Sequence, residues 1–328
     1  MHFFHGWLVV ALFLSGCLAA PTLPPDPTPI PTVAPLATLS PVPTVTPLLA
    51  TTTATLPSAE GPTANGSVVT VGDRALFLSC MGEKKPTVLL EAGLGADHTS
   101  WDLVQPAVAQ FARVCSYDRA GLGQSDPAPT PRTSQDVVQD LHQLLQNAGE
   151  AGPYILVGHS FGGLHVRLFA HAYPDEVIGV VLVDAVHEDW WNRAAALLPA
   201  PAPDDSPRLQ NFRQFMTVAY ADPAKTAEGM DIPATVAQLQ RAGTLGKTPL
   251  LVLVAGIPTV LAPGLPADLE RQLNELLQQT LPDALLALSS LSIRLPVDDS
   301  GHNIPQEQPD AVVVAIRTMI DVACLRGC

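Results

Sequence analysis

Tyr154-Ile155-Leu156-Val157-Gly158-His159-Ser160-Phe161-Gly162-Gly163 decides how this chain reads. The first four residues are an unbroken apolar run of strand-forming type, and Gly162 to Ala172 has the composition of a helix. One tight bend at Ser160 must therefore join strand to helix. Glycine stands two positions before and two after the serine, where a Cβ would collide in so sharp a turn. G-x-S-x-G in a strand–turn–helix setting lifts the hydroxyl above the sheet and aims the N–H groups of the helix start at it.

Outward from that bend, short β-branched runs alternate with longer amphipathic stretches. Val68–Val71 and Ala75–Cys80 predict a hairpin turned at Gly72-Asp73. Thr87–Glu91, Val114–Asp118, Tyr154–Val157, Val177–Val183, Leu250–Val254 and Ser292–Val297 are mostly unalternated, as expected of strands buried on both faces. Helices are predicted over Asp102–Ala112, Ser134–Ala148, Gly162–Ala172, Ala267–Gln279 and Pro309–Ala323. The alternation predicts an α/β fold, a mostly parallel sheet covered on both sides. Arg193 to about Gly246 breaks the rhythm, being rich in Pro and Ala without a convincing strand. With its flanks it is read as a lid over about residues 187–247, since so long a gap in a compact domain is usually functional.

The chain has 328 residues, 47% of them hydrophobic, which suffices for one large core. Its formal charge of −14 and the lack of a basic stripe exclude nucleic acid as a partner. The N-terminal apolar run is too short to span a bilayer and ends in Leu14-Ser15-Gly16-Cys17, which resembles a bacterial lipobox. Residues 1–16 are thus read as a lipoprotein signal peptide and Cys17 as the lipidated anchor to a membrane. Ordinary cleavage near Ala19-Ala20 and an uncleaved anchor are the alternatives, and each exports the chain. Residues 17–66 form a Pro/Thr-rich linker of extended geometry, and 67–328 the folded domain. Beyond Cys17 the cysteines are Cys80, Cys115, Cys324 and Cys328, an even set that favours disulfides over a metal site in an exported chain.

From about Ser67 to its end the sequence resembles the α/β-hydrolase fold-1 superfamily. Besides the Ser160 bend, Leu90-Glu91-Ala92-Gly93-Leu94-Gly95 is similar to that family's oxyanion loop. Tyr117-Asp118-Arg119-Ala120-Gly121-Leu122-Gly123-Gln124-Ser125 is similar to its D-R-x-G-x-G-x-S segment, and Ser300-Gly301-His302 to the segment carrying its histidine. The resemblance implies an eight-stranded sheet, a mostly helical lid inserted after strand six, Ser160 as nucleophile and His302 as base. It implies an oxyanion hole made by the backbone N–H groups of Leu94 and Phe161. With strand two beside strand four it also implies a Cys80–Cys115 bridge, leaving Cys324 and Cys328 to close a small loop.

The acid is less fixed. The resembled family usually carries its acid just after strand seven, but Ala255-Gly256-Ile257-Pro258-Thr259 has no carboxylate. The resemblance offers the end of strand six as the other position, so Asp184, closing the apolar strand Val177–Val183, is favoured, with Asp268, Glu188 and the pair Asp298 and Asp299 as alternatives. His159 adjoins the nucleophile but points away by strand alternation, and Trp101 is expected to pack beneath the oxyanion loop. A serine nucleophile favours acyl transfer to water, without cofactor or metal. Trp190, Trp191, Leu197, Leu198, Phe212, Phe215 and Met216 serve most simply to pack the lid onto the body; where they face the cleft they favour a small-molecule ester with an apolar group, hence a carboxylesterase-like enzyme rather than a peptidase. An acyltransferase or haloperoxidase-like enzyme, or a surface binding module with a degenerate site, are the competing readings.

Overall fold

The computed structural model describes residues 65–257 and 264–325. The expected signal peptide, Cys17 and the linker as far as residue 64 lie outside the described residues, as does Cys328. One eight-stranded sheet holds β1 (Asn65–Val71), β2 (Arg74–Met81), β3 (Thr87–Glu91), β4 (Arg113–Tyr117), β5 (Tyr154–His159), β6 (Val177–Val183), β7 (Leu250–Ala255) and β8 (Ser292–Val297). The strands lie in the order β1-β2-β4-β3-β5-β6-β7-β8. β2 runs antiparallel to β1 and β4, and the remaining neighbours are parallel. The domain starts slightly before the expected residue 67, because Asn65 and Gly66 pair with Cys80 and Ser79.

The helices are α1 (Gln105–Val108), α2 (Ser134–Ala148), α3 (Gly162–Ala172), α4 (Trp190–Ala196), α5 (Pro207–Thr217), α6 (Ile232–Ala242), α7 (Ala267–Glu275), α8 (Leu281–Leu286), α9 (Ile304–Glu307) and α10 (Pro309–Cys324). They cover both faces, which explains the unalternated strands. On β5, Ile155 and Val157 join Val104, Val108, Ile316 and Met319 in one core, while Tyr154 and Leu156 join Leu141, Leu164 and Phe169 in the other. Helices α4, α5 and α6 all fall between β6 and β7, so the lid is helical and lies in the expected insertion.

Two helices differ from expectation, each at a proline. The stretch read as Asp102–Ala112 forms only the four-residue α1, after a 3-10 turn at His98–Trp101. Pro106 has no N–H to extend the helix backwards. The stretch read as Ala267–Gln279 is α7 followed by a π turn over Leu276–Thr280 and then α8. Pro282 cannot donate to the carbonyl four residues earlier, and that carbonyl, of Gln278, accepts from Arg294 Nη2 instead.

Cys80 and Cys115 stand directly opposite each other in the β2–β4 register and are bridged, with Cα atoms 4.1 Å apart. The second expected closure involves Cys328, outside the described residues.

Candidate active site

β5 delivers the chain to Ser160 at the carboxyl edge of the sheet, where φ is 53°. That left-handed geometry is uncommon for a residue with a side chain and turns its hydroxyl away from the ladder. The bend is held on both sides: Ser160 N–H donates to Val183 O at 3.1 Å, and Ser160 O accepts from Val186 N–H at 3.0 Å. The flanking glycines are required by contact. A Cβ at Gly158 would lie 2.7 Å from Gly162 O, and one at Gly162 would lie 2.6 Å from Ala92 O.

His302 follows β8 in a loop fixed by Glu307, whose Oε2 accepts from Gly301 N–H at 2.5 Å and from Ser300 Oγ at 3.2 Å. Its Nε2 lies 2.9 Å from Ser160 Oγ and its Nδ1 lies 2.7 Å from Asp184 Oδ2. A carboxylate only accepts, so Nδ1 carries the proton and Nε2 presents a lone pair to the serine hydroxyl. Asp184 is itself oriented, its Oδ1 accepting from Ala255 N–H at 3.0 Å, and its φ is 41°. The structure thus brings Ser160, His302 and Asp184 into one line.

The other candidate acids have different surroundings. Glu188 is buried and bonds Arg167 through both oxygens, at 2.6 and 3.0 Å. Asp268 sits on the exposed first turn of α7 and pairs with Arg271 at 2.7 Å. Asp298 and Asp299 are exposed.

His159, expected only to point away from the serine, reaches the loop of His302. Its Nε2 donates to His302 O at 2.8 Å, and the two rings stand 4.9 Å apart. Burial, reinforced by the neighbouring His302, lowers its pKa to about 4, so the ring is neutral near pH 7. Trp101 is fully buried and meets His159 edge-on, as expected of a residue packed under this region.

The loop after β3 passes beside Ser160: a Cβ on Gly93 would be 3.4 Å from Ser160 Cβ. Leu94 N–H and Phe161 N–H, the expected oxyanion donors, bond no backbone acceptor among the described residues outside helices and strands. Behind that loop lies a buried charge cluster. Arg119 Nη1 donates to Glu91 Oε1 at 2.6 Å and Arg119 Nε to Glu228 Oε2 at 2.7 Å, while Tyr117 OH donates to Glu91 Oε2 at 2.5 Å. Burial pushes the Glu91 carboxyl up, against the pull of Arg119. In the same D-R-x-G-x-G-x-S segment, Asp118 is fully buried and accepts from His98 N–H and Gln124 N–H, both at 2.8 Å, which marks it as structural.

A cavity of about 480 Å³ reaches His302 and Asp184 from the side of the insertion. Its wall is mostly apolar, with Trp190, Phe212 and Phe215 from the insertion, Val254 and Ala255 from β7, and Leu281 from α8. An imidazole between hydroxyl and carboxylate, beside the N–H groups of Leu94 and Phe161 and an apolar cavity, suits nucleophilic attack on a carbonyl.

The alpha/beta hydrolase family model matches residues 88–316, and the chain belongs to that family. It is 27% identical over 243 residues to the uncharacterized protein YqjL of Bacillus subtilis, a match covering 74% of this chain and 87% of YqjL. Several other curated relatives are matched over less than half of their own length, among them the putative carbamate hydrolase RutD of Azorhizobium caulinodans, 31% identical over 127 residues and covered to 45%. Among solved structures, a thermophilic esterase from Thermogutta terrifontis superposes with a TM-score of 0.53 at 22% identity, covering 79% of this chain and 99% of that one. A bromoperoxidase from Bacillus anthracis gives 0.54 at 17% identity, covering 78% and 99%. At these identities the two structures speak to fold alone.

Proposed function

We propose that the protein is a serine hydrolase that cleaves carboxylic esters bearing an apolar group through an acyl-enzyme. The observation that carries this reading is His302, bonded at Nε2 to Ser160 Oγ and at Nδ1 to Asp184. Ser160 Oγ attacks the ester carbonyl carbon as its proton passes to His302 Nε2. The Nδ1–H bond to Asp184 stabilises the imidazolium so formed. The carbonyl oxygen becomes an oxyanion facing Leu94 N–H and Phe161 N–H, each such donor contributing about 3 kcal/mol to the transition state. Collapse breaks the bond to the leaving alkoxide, which takes the proton from Nε2. Water, deprotonated by the same imidazole, then releases the acyl group as a carboxylic acid and restores Ser160.

The apolar cavity beside His302 supports an alkyl or acyl chain as the recognised group. The reading also places the enzyme outside the cytosol on a lipid anchor at Cys17, which the Cys80–Cys115 bridge supports, since such bridges persist in oxidising compartments.

The test uses the full-length protein in detergent with a fluorophosphonate probe and p-nitrophenyl esters of rising chain length. Labelling and turnover that vanish in Ser160→Ala and His302→Ala are expected. A wild type that is neither labelled nor active on any ester would overturn the proposal. Label without hydrolysis, with acyl transfer to an added alcohol, would redirect it to an acyltransferase.

A further inference from the structure

We infer that Glu228, carried by the helical insertion, is a positioning residue for the Leu94 N–H, so that the seat of the insertion sets the rate of acyl transfer; this rests on the serine-hydrolase reading above. Glu228 lies between α5 and α6 with φ 62°, a backbone region disfavoured for a residue with a side chain. Its side chain is 2% exposed. The carboxylate accepts from Arg119 Nε and Nη2, both at 2.7 Å, and from Gly95 N–H, also at 2.7 Å. Arg119 gives its remaining hydrogens to Glu91 Oε1 at 2.6 Å and to the carbonyls of Ala92 at 2.9 Å, Gly93 at 2.6 Å and, at the longer distance of 3.3 Å, Ala96.

The Gly93 carbonyl and the Leu94 N–H belong to one planar trans peptide and point in opposite directions. Tying that oxygen to the guanidinium therefore fixes where the Leu94 hydrogen points. Gly95 N–H belongs to the next peptide, and Glu228 ties it directly. Leu94 is thus clamped through both of its peptide planes, one by Arg119 and one by Glu228. Glu91 cannot substitute, since it meets Arg119 only at Nη1 and its other oxygen is taken by Tyr117 OH. The insertion also packs hard at this point: a Cβ on Gly95 would stand 2.9 Å from Ala227 Cβ.

A purely adhesive role fits poorly. Two buried carboxylates converge on one guanidinium, and burying charge is a poor way to gain stability when apolar packing is available. A carboxylate on the N–H adjoining an oxyanion donor instead fixes a dipole before charge develops, which is the form of catalysis that needs no reorganisation.

The test compares full-length wild type, Glu228→Gln and Glu228→Ala, each normalised by fluorophosphonate titration of active sites. Kinetics on p-nitrophenyl butyrate are measured beside inhibition by an aryl trifluoromethyl ketone, which adds to the serine and forms an oxyanion, and by the matching alcohol, which does not. Glu228→Ala is expected to lower kcat by about 30- to 100-fold and to weaken the ketone by a similar factor, with KM and alcohol affinity within about twofold. Glu228→Gln keeps an acceptor for Gly95 N–H and loses the charge facing Arg119, so a loss of about three- to tenfold is expected. Where the alanine variant yields no titratable enzyme, the glutamine variant decides by the same ratio. Normalised kcat unchanged, or kcat lowered with ketone affinity untouched, would overturn the inference and leave the hydrolase reading standing. A wild type that neither labels nor turns over ester would remove both.

Discussion

His159 Nε2 donates to the backbone carbonyl of His302 at 2.8 Å, so the residue preceding Ser160 holds the loop whose imidazole bonds that serine. Since that carbonyl can only accept, the arrangement requires the proton on Nε2, and burial keeps the ring from gaining a second one. Replacing His159 by Ala should leave His302 free to wander and lower kcat by about 10-fold or more, with KM little changed. Steady-state kinetics on a short ester check this, and an unchanged kcat would show that the loop is fixed by Glu307 alone.

The same histidine makes stability depend on pH. Its pKa is about 4 in the folded protein, against about 6.5 when unfolded. Between those values the unfolded chain binds the extra proton, so stability is full above pH 6.5 and declines as pH falls toward 4, by roughly 3 kcal/mol at the end of the window. Burial lowers His165 and His187 as well, which adds to the slope. Urea midpoints measured across this range should fall with acid, and His159→Gln should flatten the curve by about one proton's worth. An identical slope in the variant would contradict the assignment.

Asp184→Asn should reduce kcat by about 10³- to 10⁴-fold, because an amide no longer selects the Nδ1–H tautomer of His302. Asparagine tolerates the left-handed backbone found there, so the fold should persist and the loss should fall on chemistry. Asp268→Asn should change kcat by less than about twofold, as an exposed pair contributes little. Parity between the two variants would move the acid elsewhere.

Cys80→Ala with Cys115→Ala should cost about 4 kcal/mol, the chain-entropy estimate for a bridge closing a 35-residue separation. Because β2 and β4 lie well away from Ser160 in strand order, specific activity at low temperature should be retained. Differential scanning calorimetry beside a rate assay separates the two; lost activity in a protein with unchanged melting would be the contrary result.

Asn211 lines the cavity from α5 and is exposed, which places it at the mouth. Asn211→Trp should raise KM for a decanoate ester by about tenfold while leaving an acetate ester unaffected, since only the long chain needs the space. Equal effects on both esters would show that the chain binds elsewhere.

Most of what positions the reacting groups was legible because it is local. The Ser160 bend needs glycine at fixed offsets and Asp184 closes an uninterrupted apolar strand, while the Cys80–Cys115 pair followed only from the strand order that the family resemblance implies. The rest depends on folding distant segments together. Glu228 is 109 residues from Arg119 in a Pro- and Ala-rich stretch without periodicity, and nothing in its neighbours marks it. The orientation of His159 follows from where the last loop returns, 143 residues on. Pro106 and Pro282 could have shortened the predicted helices, since each removes a backbone donor within an otherwise helical pattern.

Hanging the carboxylate of Asp184 on β6 leaves Gly256 and Ile257, directly after β7, without a carboxylate to supply, while β7 still frames the cavity. Selectivity and reactivity therefore sit on neighbouring but separate pieces of backbone. On the reading proposed above, cavity side chains such as Ile257 and Leu281 can be exchanged to admit other acyl chains while Ser160, His302 and Asp184 keep their bonds, which makes that wall the natural place to re-engineer what the protein accepts.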